Sequence, residues 1–171
     1  MTLEFRSVRG CEKDPIREFH ARLSPRTRYL RFFSPMPVLP DSVLNLLACG
    51  DDLRRLTLLA QLRSGSNSEI VALGNVAPGE DGDAELGLVV RDDFQRHGIG
   101  TALAATVLRR AEARGIQRFV AHVLWENSPV MRKFLSRVAD IVSATTNQGV
   151  SEMHFIRRTG SGFNAVSLPL R

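Results

Sequence analysis

The sequence predicts an α+β fold, a mixed, mostly antiparallel sheet of about six to seven strands flanked by helices. Short runs of period-two alternation, separated by glycine and asparagine turns, predict the strands; helical spacing with caps predicts the helices between them. Strands come first as a meander and later alternate with helices, which leaves one βαβ crossover over residues 84–124. A chain of 171 residues with 43% apolar and 24% charged residues suits a single domain, 1–171, with one core.

Leu3 to Val8 alternates as a first strand. Asp14-Pro15 opens a helix, aspartate as the cap and proline at the first position, with Ile16, Phe19 and Leu23 as its apolar stripe. Ser24-Pro25 ends it and begins a turn-rich segment, RTRYLRFFSPMPVLP, whose prolines at 35, 37 and 40 deny it long regular structure. Asp41 to Cys49 is helical, stopped by Gly50. Leu53 to Leu62, Ile70 to Val76 and AELGLVV form the meander. Thr101 to Arg114 places Leu103, Val107, Leu108 and Ala111 at helical spacing, ended by Gly115. Strand FVAHVL follows, then a helix in ENSPVMRKFLSRV with Ser128 as cap and Pro129 at its first position. Ile141 to Thr146 and Val150 to Ile156 make a final hairpin around Asn147-Gln148-Gly149, and the tail after Gly160 is expected to be loose.

The chain carries 23 basic and 18 acidic residues, the basic side almost all arginine, with lysine only at Lys13 and Lys133. Acidic residues interrupt those arginines, a pattern of a solvated surface rather than a nucleic-acid footprint. No apolar stretch approaches the ~18 residues a membrane span needs, and MTLEFRSVRG lacks an apolar signal core, so the expected location is the cytoplasm. Cys11 and Cys49 fit neither a disulfide framework nor zinc spacing, and both are read as reduced thiols. No HExxH or clustered carboxylates suggest a metal.

The stretch Arg91-Asp92-Asp93-Phe94-Gln95-Arg96-His97-Gly98-Ile99-Gly100-Thr101 sits at the strand-to-helix junction of the crossover, where unpaired N–H groups and the helix dipole favour anions. A triphosphate loop requires a lysine after its last glycine, and none follows. A dinucleotide fingerprint fails too, because Leu103 holds its third glycine position and seven residues separate Val90 from Gly98. A diphosphate loop of the form Q/R-x-x-G-x-G/A fits Gln95 to Gly100. Gly98 and Gly100 clear side chains from the backbone, so N–H groups from about Arg96 to Thr101 can meet phosphate oxygens, with Arg96 and His97 adding charge. The other reading is a glycine turn that packs helix on strand.

With that loop and its ordered surroundings, the chain resembles the GCN5-related N-acetyltransferase (GNAT) superfamily over most of its length. The resemblance implies the GNAT fold and an acetyl-CoA-dependent transferase without a metal. It implies that the diphosphate of coenzyme A lies on Gln95, Arg96, His97, Gly98, Ile99, Gly100 and Thr101. The pantetheine arm would run along Glu85 to Val90 against backbone atoms around Leu88 and Val90. Asn127 matches an asparagine that faces the pantetheine; its other role is a turn residue before the Ser128 cap.

Acyl transfer to a lysine needs a base, because an amine with pKa near ~10.4 is neutral only about once in 2,500 molecules at pH 7. Glu85, in the otherwise apolar AELGLVV, is the candidate: burial of its neighbours is expected to raise its pKa, and relatives often place a catalytic glutamate on this strand. The alternative is a solvent-facing glutamate beside Ala84. The tyrosine that protonates the thiolate in many relatives is Phe134 here, seven residues after Asn127, and the single tyrosine is Tyr29. His20 falls on the polar side of the first helix, and His122 and His154 read as structural strand residues. Glu80, Asp81, Asp83, Asp92 and Asp93 cluster at the ends of the Glu85 strand, either to attract a cationic amine or to keep loops wet.

The segment FHARLSPRTRYLRFFSPMPVLP resembles one subgroup, the acetyltransferase domains of bacterial protein lysine acetyltransferases. Their fused partner domains do not fit within 171 residues, so a detached catalytic domain is expected. The implied acceptor is an amine, a protein lysine or a small molecule; the resemblance leaves a homodimer open and implies neither nucleic acid nor membrane as partner. A second reading, from a different class, is a non-catalytic module that binds acyl-CoA and reports it to a partner.

Overall fold

Seven period-two segments pair into one sheet, and the helices bury what that sheet leaves apolar. In the computed structural model, which describes residues 1–49 and 51–159, the order is β1 (Thr2–Ser7), α1 (Lys13–Ala21), α2 (Pro25–Phe32), α3 (Asp41–Cys49), β2 (Leu56–Ser64), β3 (Asn67–Pro78), β4 (Ala84–Val90), α4 (Ile99–Glu112), β5 (Phe119–Leu124), α5 (Ser128–Leu135), β6 (Ala139–Asn147) and β7 (Val150–Arg157). The strands lie in the order β1-β2-β3-β4-β5-β7-β6. All neighbours are antiparallel except β4 and β5, which are parallel and joined through α4. This is the mixed sheet with one crossover that the element order predicts. The expectation for the tail after Gly160 lies outside the described residues.

Alternation along β4 sorts its side chains between two cores. Ala84, Leu86, Leu88 and Val90 face α4 and α5, packing with Leu103, Val107, Leu108 and Leu135. Val89 faces the other way with Leu59 and Leu73, under Ile16, Phe19, Leu23 and Leu44 of the α1–α3 layer. Leu44, Leu59 and Leu73 are at most 1% exposed, and each such side chain contributes about 1.5–3 kcal/mol by leaving water. On that second face His122, Glu152 and His154 stay partly open and Val142 and Ile156 are exposed, whereas Val120 of β5, opposite Glu85, is 4% exposed.

Several local expectations are corrected. The turn-rich segment begins with a helix: Ser24 Oγ accepts the Thr27 N–H at 3.1 Å, Pro25 takes the first helical position, and the prolines at 35, 37 and 40 all lie beyond the end. Phe33, with φ 57°, closes it in the left-handed conformation. Glu12 rather than Asp14 occupies the cap position of α1. Ser128 does not cap α5; it is the first helical residue, Asn127 holds the cap position, and the buried Ser128 Oγ finds no protein partner among the described residues. The hairpin turn is as expected, Gln148 and Gly149 both having positive φ (47° and 81°), the twist that two-residue hairpins need. Cys11 and Cys49 are bonded as a disulfide with Cα atoms 4.5 Å apart. Chain separation concealed this pairing, because folding of α1–α3 returns the end of α3 to the start of α1.

Candidate functional site

The register of β4 and β5 opens a cleft. They pair at Ala84 with Phe119 and at Glu85 with Val120, and no further, while β4 remains paired to β3 through Val90. The Ala84 N–H donates to the Arg118 carbonyl and the Arg91 N–H to the Val71 carbonyl, on the opposite side. Main-chain groups of alternate residues share a side, so those of Leu86, Leu88 and Val90 point into the gap. The Val90 carbonyl accepts a hydrogen bond from Gln95 Nε2 at 3.0 Å. Glu85 stands at the vertex where the strands part.

At the open end lies the loop before α4, held by side chains from three directions. Arg91, 8% exposed, bonds Asp93 at 2.7 and 2.9 Å and Glu69 at 2.8 Å, and lies over the Phe94 ring. Asp92 accepts from the Ser24 N–H, the Ser24 hydroxyl and the Thr27 hydroxyl at 2.7–2.9 Å. Asp93 is held below the usual carboxylate range, first by the Arg91 hydrogen bond. These bonds remove Asp92 and Asp93 from any role as free attractors of a cation, and Asp83 is likewise engaged; Glu80 and Asp81 remain exposed.

The tip of that loop is open. Arg96, His97 and Gly98 are exposed, Arg96 with φ 63° and Gly98 with φ 80°. Gly98 is needed for its conformation, since a Cβ there would meet nothing within 4 Å. Gly100 is needed for space: a Cβ would come within 3.3 Å of Val90 Cγ2 and 3.6 Å of the Phe134 ring. Both readings of the glycines therefore have a physical basis. The helical ladder starts with the Ala102 N–H donating to the Gly98 carbonyl at 3.0 Å, and no side chain caps α4. The N–H groups of Ile99, Gly100 and Thr101 have no intrahelical acceptor. Asn127, half-buried on the 3-10 turn that ends β5, makes no capping bond with its side chain.

Glu85 lies on the opposite face from α4, with Gly87 and Val89. Its neighbours Ala84 and Leu86 are buried as expected, yet its own side chain is 48% exposed, because β4 turns its even residues toward α4 and position 85 to the other face. Next to it, Arg31 of α2 rests on Gly87, where a Cβ would collide with the guanidinium, and Nη2 donates to Asn75 Oδ1 at 2.8 Å. Burial pushes the Arg31 pKa down while nearby Glu85 opposes that. His122 Nδ1 is 3.5 Å from Glu85 Oε1. From there a chain continues: His122 Nε2 lies 3.7 Å from Glu152 Oε2, His154 bridges Glu152 and Asp83 at 2.5 and 2.8 Å, and Arg118 Nε donates to Asp83 at 2.8 Å. His154 is raised above the ordinary histidine range, first by the Asp83 hydrogen bond.

In sequence, His122 and His154 read as structural strand residues, and nothing singles out Arg31 or Glu152. The available signal was parity: 120, 122 and 124 share a face of β5, as 152, 154 and 156 do on β7, but which residues stand opposite depends on register. His20 is buried rather than on a polar face, and burial lowers its pKa. A separate groove of about 290 Å³ lies over β2 and β3, lined by Arg6, Glu12, Glu18, Arg22, Gln61 and Glu69. There Arg6 bonds Glu12 at 2.8 Å and Gln61 at 2.6 Å, and Arg22 bonds Glu69 at 2.8 Å, which leaves less unpaired chemistry than the cleft holds.

The profile of the acetyltransferase (GNAT) family matches residues 30–136. Over 58 residues the chain is 40% identical to Acetyltransferase Pat of Mycolicibacterium smegmatis; the match takes in 34% of this chain and 17% of that protein. The fold superposes on the GNAT domain of S. lividans PAT with a TM-score of 0.78 at 25% identity, covering 90% of each chain. It also resembles yncA of Salmonella typhimurium, solved with its cofactor acetyl-CoA, at a TM-score of 0.60 and 14% identity over 91% of this chain and 92% of that one, a likeness of fold alone. With a profile match that runs over more than half of its length, the chain belongs to the acetyltransferase (GNAT) family.

Proposed function

We propose that this chain moves the acetyl group of acetyl-CoA to a primary amine by direct attack, with Glu85 as general base. Family membership makes it an acyltransferase. Similarity to the Pat proteins favours a protein lysine as acceptor over a small molecule. One observation carries the reading: the β4 edge that loses its partner after Glu85 leads directly to the uncapped N-terminus of α4. A cofactor with an amide-bearing arm and a diphosphate at its far end matches that sequence of groups. Leu88 and Val90 would pair with the arm through main-chain atoms, and Asn127 faces it from the end of β5. Gln95, Arg96, His97, Gly98, Ile99, Gly100 and Thr101 would hold the diphosphate with backbone N–H groups and the side chains of Arg96 and His97. The donor set is suited to an anion, since no carboxylate stands among those seven residues.

When bound, acetyl-CoA supplies the activated carbonyl and a thiolate leaving group. Glu85 takes a proton from the acceptor's ammonium, a step worth roughly 10² to 10⁴ in rate. Phe134 beside Gly100 carries no hydroxyl, so the thiolate takes its proton from water or from the acceptor. The reading treats residues 1–171 as one catalytic domain with a cytoplasmic location. There the Cys11–Cys49 bond would face a reducing poise.

Thiol release from acetyl-CoA over a panel of lysine peptides and small amines, with binding measured by calorimetry, tests this. Glu85→Gln should cut turnover by about 10² to 10⁴ with CoA affinity within twofold of the parent. Phe134 favours a second reading, an acyl-CoA sensor, which predicts tight CoA binding with no turnover on any amine.

A further inference from the structure

The carboxylate and histidine side chains beyond Glu85 form a line that catalysis by a lone glutamate does not explain. The line is built by register. Glu85 stands opposite Val120 on β5, His122 stands directly opposite Glu152 on β7, and Val120 stands opposite His154. By strand alternation these polar side chains share one face of the sheet, and none of Glu85, His122, Glu152 and His154 is fully buried. His122 meets Glu85 through Nδ1 at 3.5 Å and Glu152 through Nε2 at 3.7 Å, so its two nitrogens address two different carboxylates. Glu152 in turn divides its oxygens, Oε2 toward His122 and Oε1 toward His154. His154 is fixed from behind by Asp83, 8% exposed and itself bonded to Arg118. That rear anchor holds Glu152 in place.

We propose that His122 takes the proton from Glu85 and passes it through Glu152 to solvent, a lateral exit along the open face of β5 and β7. It rests on the reading of Glu85 as base. An acceptor that reaches the cleft vertex covers the exposed side of Glu85, so the carboxylate cannot discharge straight into water while product is bound. The ring beside it can accept that proton.

In the first transfer an N–H bond of the acceptor breaks and an O–H bond forms on Glu85. In the second that O–H bond breaks and an N–H bond forms at Nδ1 of His122. The Nε2–H bond of the same ring then breaks as an O–H bond forms on Glu152, which is 38% exposed and releases the proton to water. One proton travels from ammonium to solvent with no oxidation or reduction, and exchange with water at the 33% exposed ring restores the starting tautomer. Separations of 3.5 and 3.7 Å exceed hydrogen-bond length and need closure of less than about 1 Å, or one bridging water, in the loaded enzyme. The charged groups that face His122 are Glu85 from β4 and Glu152 from β7, with Arg31 of α2 acting on Glu85.

The test compares His122→Ala and Glu152→Gln with the parent on two acceptors, a peptide with one lysine and a blocked N-terminus, and a lysine-free peptide with a free α-amine. For the lysine peptide kcat/KM should fall about 10- to 100-fold in His122→Ala, with less loss on the α-amine, whose pKa near ~8 makes it less dependent on proton removal. Added imidazole should restore part of the His122→Ala activity, and CoA affinity should hold. Turnover within twofold of the parent, or a loss equal on both acceptors and untouched by imidazole, overturns the relay. Full lysine turnover in Glu85→Gln fails the base reading and the relay with it; turnover lost in Glu85→Gln but kept in His122→Ala fails the relay alone.

Discussion

The same sheet face is two different surfaces. Over β2, β3 and β4 it is apolar and roofed by α1, α2 and α3, with Leu59, Leu73 and Val89 meeting Ile16, Phe19 and Leu44. Over β5 and β7 it is more open among the described residues, and positions of the same parity carry His122, Glu152 and His154, with Glu152 bonded to His154 and 3.7 Å from His122. Glu85 sits on the border between the two. The difference teaches that a strand face left bare by the helices is where a sheet can hold interacting charges without the desolvation cost of a core.

Truncation on the roofed side should have the largest effect on stability. Leu73→Ala, 1% exposed, is expected to cost about 2–5 kcal/mol, measured by urea unfolding. A much smaller value would mean that α1–α3 packs loosely on this face. Next comes the pH dependence of the bare side. His154 is raised above its ordinary 6.5, so its stabilisation is complete below that pH and is lost as pH climbs through the folded value. Asp83 is lowered from its ordinary 3.8, first by His154 and then by Arg118, so its contribution is present above 3.8 and is lost as pH falls through the folded value. Unfolding midpoints should therefore decline on the alkaline side of about pH 6.5, and His154→Gln should flatten that decline. An unchanged alkaline limb in the variant would show that the pair contributes nothing to stability. The smallest effect belongs to Ile156→Ser on the bare side, where the residue is 43% exposed; the cost should stay within about 0.5 kcal/mol. A large loss would reveal that something covers this face in solution.

Much of the roofed side and the cleft was legible from residues alone. Strand FVAHVL and the Gln95 to Thr101 loop could be placed because alternation, glycine conformation and helix dipoles act over a few neighbours. Use of the β4 edge was implied by the family resemblance, while the point at which β4 and β5 part is set by register. What escaped notice depends on contacts between distant positions: the Cys11–Cys49 bond, the Arg31 guanidinium on Gly87, and the facing of His122 and Glu152, each set by how elements fold back or by strand register. The buried neighbours of Glu85 leave its own side chain half exposed for a related reason. Apolar neighbours in sequence lie on both sides of a strand, and only their helical cover decides which side is dry.

The bond between Cys11 and Cys49 closes a ring of chain with a sequence separation of 38, and that ring contains α1, α2 and α3 in full. In the chain-entropy picture such a closure disfavours the unfolded ensemble by about 4 kcal/mol. The whole roof is thus a tethered lid whose strap is external: both cysteines are exposed, so a small thiol can reach the strap without first opening the lid.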